Sequence, residues 1–218
     1  GLERVDHGRN QVAALELGRR QVHGDGDARR PASGVETGLP DDPFPKGDDD
    51  PGRFRDGDEI ERLSEEKEEH YRRLCLAQGR AGFRLSPGAA SLLDWLAAHG
   101  VPRAIATASG RVNVDFFREH LGLDRWFDQA LVYDDGTLPG KPAPDLYLRA
   151  AGALGLAPAG CVVVEDSVSG LEAARAAGAG LVVALGPPGK HAALAALPGV
   201  SLVIESLADL PARELFAP

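Results

Sequence analysis

The sequence contains no methionine, even at position 1, so the chain is expected to begin inside its reading frame or after processing. Cysteine is almost as scarce. Cys75 and Cys161 are the only two and cannot form a disulfide framework, and Cys161, which opens an apolar run, reads as a reduced, buried thiol. A reducing cytoplasm is the expected compartment. Basic residues are in deficit, with 24 Lys and Arg against 33 Asp and Glu, a formal charge of −9 and a pI near 5.1. Neutralising a phosphate backbone needs the opposite balance, which argues against nucleic acid as a partner. Also missing is any apolar stretch near the roughly 20 residues of a membrane-spanning helix, and the N-terminus carries charges where a signal peptide would need an apolar core. The sequence therefore reads as a soluble chain, long enough for one large domain with a smaller insert.

What is present is unevenly spread. Residues 1–58 are rich in Gly, Asp, Arg and Pro, as in HGDGDARRPASG and LPDDPFPKGDDDPGRFRDGD, and hold no run of four strand-forming residues, so no strand is expected there. A short helix from Asn10 to Arg20 is suggested by Val12, Leu15 and Leu17, and the remainder reads as loop. Residues 1–40 are taken as an irregular N-terminal segment, or as a shifted translation of a Gly- and Arg-rich coding region. Residues 41–85 read as a helical region, because from Glu59 to Gln78 the residues Ile60, Leu63, Tyr71, Leu74 and Cys75 recur at helical spacing among Glu, Lys and Arg. The acidic stretches Asp48-Asp49-Asp50 and Glu65-Glu66 read as solvated surface.

From residue 86 to 218 the pattern becomes regular. Ser86-Pro87-Gly88 opens a helix through Leu92, Leu93, Trp95 and Leu96, with Ser86 as the expected cap and Gly100 as the stop. Apolar runs at 103–108, 129–133, 161–165, 180–185 and 200–204 then alternate with helical segments near 111–121, 142–154, 169–178 and 189–197. Strands alternating with helices predict an α/β fold with a parallel sheet covered on both faces. The runs lack polar alternation, as strands buried on both sides should. Such sheets bind ligands at the carboxyl ends of their strands, which directs attention to the residues after each run.

Thr107-Ala108-Ser109-Gly110 follows the first run and leads into a helix. Free backbone N–H groups and a hydroxyl at a helix start suit an anion, although ordinary capping by Ser109 or Thr107 would account for the same residues. After the second run, Pro142 and Pro144 in Gly140-Lys141-Pro142-Ala143-Pro144-Asp145 stiffen a turn and hold Lys141 just outside a helix N-terminus. A cation is misplaced there, because the helix dipole favours the opposite sign. Lys141 is either a solvated surface lysine or one in need of a compensating anion. The third run ends in Glu165-Asp166-Ser167. Adjacent carboxylates emerging from a buried strand repel one another unless a cation is near, and hard oxygen ligands suit Mg²⁺; capping of the next helix by Asp166 or Ser167 is compatible with either case.

Thr107 in IATAS, Lys141 in GKPAPDLY and Glu165-Asp166 in VVVEDSVSGLEAARAAGA resemble, in order, the second, third and fourth motifs of the haloacid dehalogenase (HAD) superfamily, in particular its β-phosphoglucomutase-like phosphatases. The resemblance covers about residues 86–210. It implies a Rossmann-like core, residues 86–218, with a small helical cap, residues 41–85, inserted after the first strand. It also implies a hydrolase or mutase acting on a small phosphorylated metabolite through an aspartyl-phosphate. Thr107, Lys141 and Asp166 would be catalytic. Thr107, Ala108, Ser109 and Lys141 would hold the phosphate, and Glu165 and Asp166 would hold Mg²⁺.

One part of the pattern is missing. The family's first motif is an apolar strand followed by Asp-x-Asp-Gly, placed before the cap, and residues 1–58 contain no such segment. Asp25-Gly26-Asp27 and Asp56-Gly57-Asp58 have paired acids without a preceding strand. Tyr133-Asp134-Asp135-Gly136-Thr137-Leu138 mimics the motif but begins on Tyr133 and directly precedes the lysine motif. No nucleophile is assigned, which leaves a second expectation, an inactive HAD-like module that binds a phosphate ligand or a protein. Carbon–halogen hydrolysis in the same superfamily needs the aspartate but not the metal, and the Glu165-Asp166 pair speaks against it.

Overall fold

The computed structural model describes residues 13–15, 57–77, 79, 83–127 and 131–216. The chain divides into two compact units, one of residues 1–18 with 75–218 and the other of residues 19–74. In the first unit six strands form one all-parallel sheet: β1 (Ala13–Leu15), β2 (Arg103–Thr107), β3 (Leu131–Tyr133), β4 (Val162–Glu165), β5 (Leu181–Leu185) and β6 (Leu202–Ile204). Their order across the sheet is β3-β2-β1-β4-β5-β6. The chain winds outward in both directions from β1, so the switch in direction falls between β1 and β4, where open sheets of this kind leave a ligand crevice at the carboxyl edge.

The expected strands at 103–108, 129–133, 161–165, 180–185 and 200–204 are all present, with 129–130 outside the described residues. The exception is β1. Residues 13–15 were expected to be helical or loop, yet they form a central strand, with Ala13, Ala14 and Leu15 in register with Arg103, Ala104 and Ile105 on one side and with Val162, Val163 and Val164 on the other. Ala and Leu are helix formers. Only the ladder partners on both edges, contributed by chain about 90 and 150 residues away, hold this tripeptide extended. The Asp25-Gly26-Asp27 and Asp48-Asp49-Asp50 segments lie outside the described residues.

The helices are α1 (Gly57–Ala77), α2 (Ala89–Ala98), α3 (Arg111–Leu121), α4 (Asp145–Ala153), α5 (Val168–Ala176), α6 (His191–Ala195) and α7 (Ala212–Phe216). Helix α1 follows the amphipathic pattern read from Glu59 to Gln78 in part: Cys75 is buried, Leu63 and Tyr71 are half-buried and Glu65 and Glu66 exposed, with Arg62 paired to Glu66 at 2.6 Å one turn on, but Leu74, expected on the apolar face, is exposed. Helix α2 departs from expectation at its start. Its N-cap is Gly88, at φ 80°, rather than Ser86, whose carbonyl accepts the Ala89 N–H at 3.0 Å. Glycine is required there twice over, by the left-handed backbone and because a Cβ would lie 2.2 Å from the Ala208 nitrogen.

One side of the sheet buries Ala104, Ala106, Val163, Val182 and Ala184 against Leu146, Tyr147 and Ala150 of α4 and Leu171, Ala173 and Ala174 of α5. Small residues on α5 and on the strands let helix and sheet approach closely, while larger side chains from α4 fill the remaining space. This packing positions the site, because the first turns of α4 and α5 both begin at the carboxyl edge of the sheet. Among the described residues no helix is long and apolar enough to cross a membrane.

Candidate active site

The register fixes where the motif residues emerge. Leu15, Ile105 and Val164 lie in one row across β1, β2 and β4, so Thr107 and Asp166 each stand two residues beyond that row, on the two strands that flank β1. Two strand spacings separate them, roughly 10 Å. Thr107, Lys141 and the Glu165-Asp166 pair thus belong to the same edge of the sheet, at the switch point.

Glu165 is the centre of the arrangement. Its side chain is wholly shielded from solvent and, among the described residues, five donors converge on its carboxylate. Lys141 Nζ donates to Oε2 at 2.9 Å, and the Tyr147 hydroxyl donates to the same oxygen. Oε1 accepts from the Ser167 hydroxyl at 2.7 Å, the Ser167 N–H at 2.8 Å and the Asp166 N–H at 3.1 Å. A buried carboxylate is tolerated only when paired and hydrogen-bonded, and both conditions are met. Gly170 makes the room: a Cβ on it would lie 2.1 Å from the Glu165 carboxyl carbon. Tyr147 and Gly170 are the contributors whose part the sequence reading did not see. The signal available was their fixed spacing after Lys141 and Glu165, in GKPAPDLY and EDSVSG.

Lys141 is nearly as enclosed, its side chain 6% exposed, and its ammonium lies 4.9 Å from the centre of the Tyr147 ring. The lysine in need of an anion and the acid in need of a cation are therefore partners. Helix α4 begins at Asp145, with Pro144 as its N-cap residue, so Lys141 stands clear of the helix, as the proline frame implies.

Asp166 is left on the solvent side. Its carboxyl is pushed up to about 6, first by burial and then by the charge and hydrogen bonding of Glu165, against the pull of a backbone hydrogen bond and of Lys141. A carboxylate held in such surroundings is relieved by a cation. It fits a divalent ion as one hard oxygen ligand. Glu165 fits less well, since its five donors already occupy both oxygens. Among the described residues no three His, Cys, Asp or Glu side chains gather as a metal site. Ser167 caps α5: its hydroxyl accepts the Gly170 N–H at 3.1 Å while donating to Glu165.

On the other side of β1, Thr107 and Ser109 are buried and Ala108 is exposed. Neither hydroxyl caps α3, whose N-cap is Gly110 with no side-chain bond. Instead Thr107 Oγ1 accepts the Ser109 N–H at 3.1 Å, which fixes the tight turn between strand and helix. The YDDGTL segment serves a different purpose. Asp134 accepts the Gly136 N–H at 2.9 Å, and Asp135 accepts the Thr137 N–H at 3.0 Å and the Arg149 guanidinium at 2.7 Å. These bonds fold the loop onto α4 and hold the Asp135 carboxyl down at about 2, through the Thr137 donors first and then Arg149.

Residues 50–178 match the model of the haloacid dehalogenase-like hydrolases. The chain belongs to this family. The HAD-like match spans the lysine and acidic motifs and extends back through α1. Among relatives, the plasmid-encoded CbbY protein of Cupriavidus necator is 41% identical over 133 residues, which is 60% of this chain and 51% of the relative. The β-phosphoglucomutase of Mycobacterium tuberculosis is 34% identical over 134 residues, 59% of this chain and 50% of the relative. This chain thus spans about half the length of these curated relatives. Among solved structures, a HAD hydrolase of family IA, variant 3, from Entamoeba histolytica superposes with a TM-score of 0.68 at 31% identity, covering 74% of this chain and 71% of that one. The HAD-like fold, with its parallel sheet and flanking helices, is shared with these proteins.

Proposed function

We propose that the chain is a Mg²⁺-dependent HAD-like enzyme that takes a small phosphorylated metabolite and transfers or hydrolyses its phosphoryl group through an aspartyl-phosphate. The observation that carries this reading is the buried Lys141–Glu165 pair, set at the same sheet edge as Thr107 and Asp166, which rise on either side of the end of β1. Phosphoryl transfer asks little of a protein beyond in-line placement and neutralisation of the equatorial oxygens.

In this reading Thr107, with the backbone around Ala108 and Ser109, holds the phosphate by hydrogen bonds. Lys141 opposes its charge, and Glu165 fixes the lysine rather than meeting the substrate. Asp166 would hold Mg²⁺, which when bound supplies charge neutralisation at the phosphoryl oxygens. This chemistry needs a carboxylate oxygen to attack phosphorus as the ester P–O bond breaks and the leaving alkoxide takes up a proton. Water then cleaves the acyl phosphate, restoring the carboxylate and releasing phosphate. The sequence continues from β1 as Glu16-Leu17-Gly18, without the family's Asp-x-Asp-Gly, and we assign no residue to the attacking role. The helical region at 41–85 is proposed as the cap that selects the substrate. Support for a sugar-phosphate class comes from a CbbY of Rhodobacter sphaeroides solved with xylulose 1,5-bisphosphate, 28% identical, with a TM-score of 0.60 over 70% of this chain and 66% of that one.

The test is hydrolysis of p-nitrophenyl phosphate and of small sugar phosphates with and without Mg²⁺, in the native chain and in Lys141→Ala and Asp166→Asn. Turnover that needs Mg²⁺ and is lost in both variants supports the proposal; turnover indifferent to both substitutions overturns the site. Phosphate-dependent thermal stabilisation without turnover identifies the chain instead as a binding module.

A further inference from the structure

We propose that Tyr147 is a positioning residue of the phosphate site, acting on Lys141 through the carboxylate that the two share; the proposal rests on the reading of Lys141 as a phosphate-neutralising group. Tyr147 is buried, 3% exposed, in the first turn of α4. A phenylalanine would fill the same core space, so the hydroxyl calls for its own account. It donates to Glu165 Oε2, the oxygen that also receives Lys141 Nζ at 2.9 Å, while the face of the same ring lies 4.9 Å from that ammonium. One side chain therefore touches both members of the ion pair.

The consequence follows from charge. A carboxylate paired with a single ammonium cancels it, and an incoming anion must compete with that carboxylate for the lysine. A neutral donor on the same oxygen satisfies part of the carboxylate without adding charge. Oε2 then holds the ammonium less strongly, and more of its field stays available to phosphate. The ring fixes the lysine from the other side. Tyr147 thus tunes how strongly Glu165 holds Lys141, without meeting the substrate.

The experiment is calorimetric titration of the full chain with inorganic phosphate, alongside thermal unfolding without phosphate, for the native protein, Tyr147→Phe, Lys141→Met and the control Ala150→Gly. The control loosens the next turn of α4 without touching the pair. Loss of one hydrogen bond's net contribution predicts phosphate binding roughly three- to tenfold weaker in Tyr147→Phe, with Ala150→Gly lowering the melting temperature and leaving the affinity unchanged. A merely structural tyrosine would lower the melting temperature with native phosphate affinity, which overturns the proposal. An equal loss of affinity in Ala150→Gly overturns it as well. Native affinity in Lys141→Met shows that the phosphate reading itself is wrong, an outcome separate from the behaviour of Tyr147. Should Tyr147→Phe not fold, 3-fluorotyrosine at position 147 keeps the shape and strengthens the donor; phosphate binding at least as tight as native supports the role, and weaker binding overturns it.

Discussion

Lys141 and Glu165 form an ion pair with a separation of 2.9 Å and almost no solvent on either side chain. Each residue taken alone sits badly: a cation just ahead of a helix N-terminus, and a carboxylate at the end of a strand buried on both faces. Together they cancel. Removing one partner from such a pair strands the other, so Glu165→Ala is expected to cost roughly 3–5 kcal/mol. Lys141→Met should cost less, because four donors remain on the carboxylate. Urea unfolding of both variants checks the order, and a larger loss in Lys141→Met would contradict the assignment of Glu165 as the anchored member.

Gly170 is expected to be irreplaceable because of Glu165 rather than because of its backbone. Alanine would ordinarily favour a helix. Here its methyl would meet the carboxyl carbon at 2.1 Å, and a carboxylate held by five donors cannot swing aside without losing several of them. Overpacking of this kind typically costs about 1–3 kcal/mol. Gly170→Ala should therefore lower both stability and phosphate affinity, read by unfolding and by calorimetry; an alanine variant with native values of both would show that Glu165 is free to move.

The Asp135 carboxyl gives a dependence on acid whose sign can be worked out. Its folded value, about 2, lies below the ordinary 3.8, so its contribution is fully present above 3.8 and is lost as the pH falls through about 2. The stability difference between the native chain and Asp135→Asn should be constant from pH 7 to 5 and should shrink as the pH falls from about 4 to 2. Thermal unfolding across that range measures it. A difference that widened on acidification would refute the Thr137 and Arg149 contacts as its origin.

Strand β1 carries ladder partners on both sides, as β2, β4 and β5 also do, which makes its backbone intolerant of proline. Ala14→Pro removes an N–H in a central strand, where proline is essentially not found. We expect a loss of about 3 kcal/mol or more, the scale set by proline in a regular element's interior, visible as a lowered urea midpoint. Native stability in this variant would show that residues 13–15 do not occupy the centre of the sheet.

The sequence by itself determined most of the scaffold and three of the site's motifs. Apolar runs without polar alternation fitted strands covered on both faces, and helical segments between them favoured parallel pairing, so the ends of β2 and β4 and the start of α4 were legible as candidate ligand positions. Lys141 and Glu165-Asp166 stood out because each broke a local electrostatic rule. Tertiary structure decided what local rules do not reach. Ala13–Leu15 became the central strand because its neighbours on both sides demanded a partner, against the propensity of its own residues. Glu165, expected beside Asp166 as a metal ligand, is a buried carboxylate bonded to Lys141, because Tyr147, Ser167 and the space left by Gly170 converge on it from two helices. Propensity and periodicity act over a few residues, whereas the placement of a buried charge is set by donors that meet only when distant segments pack.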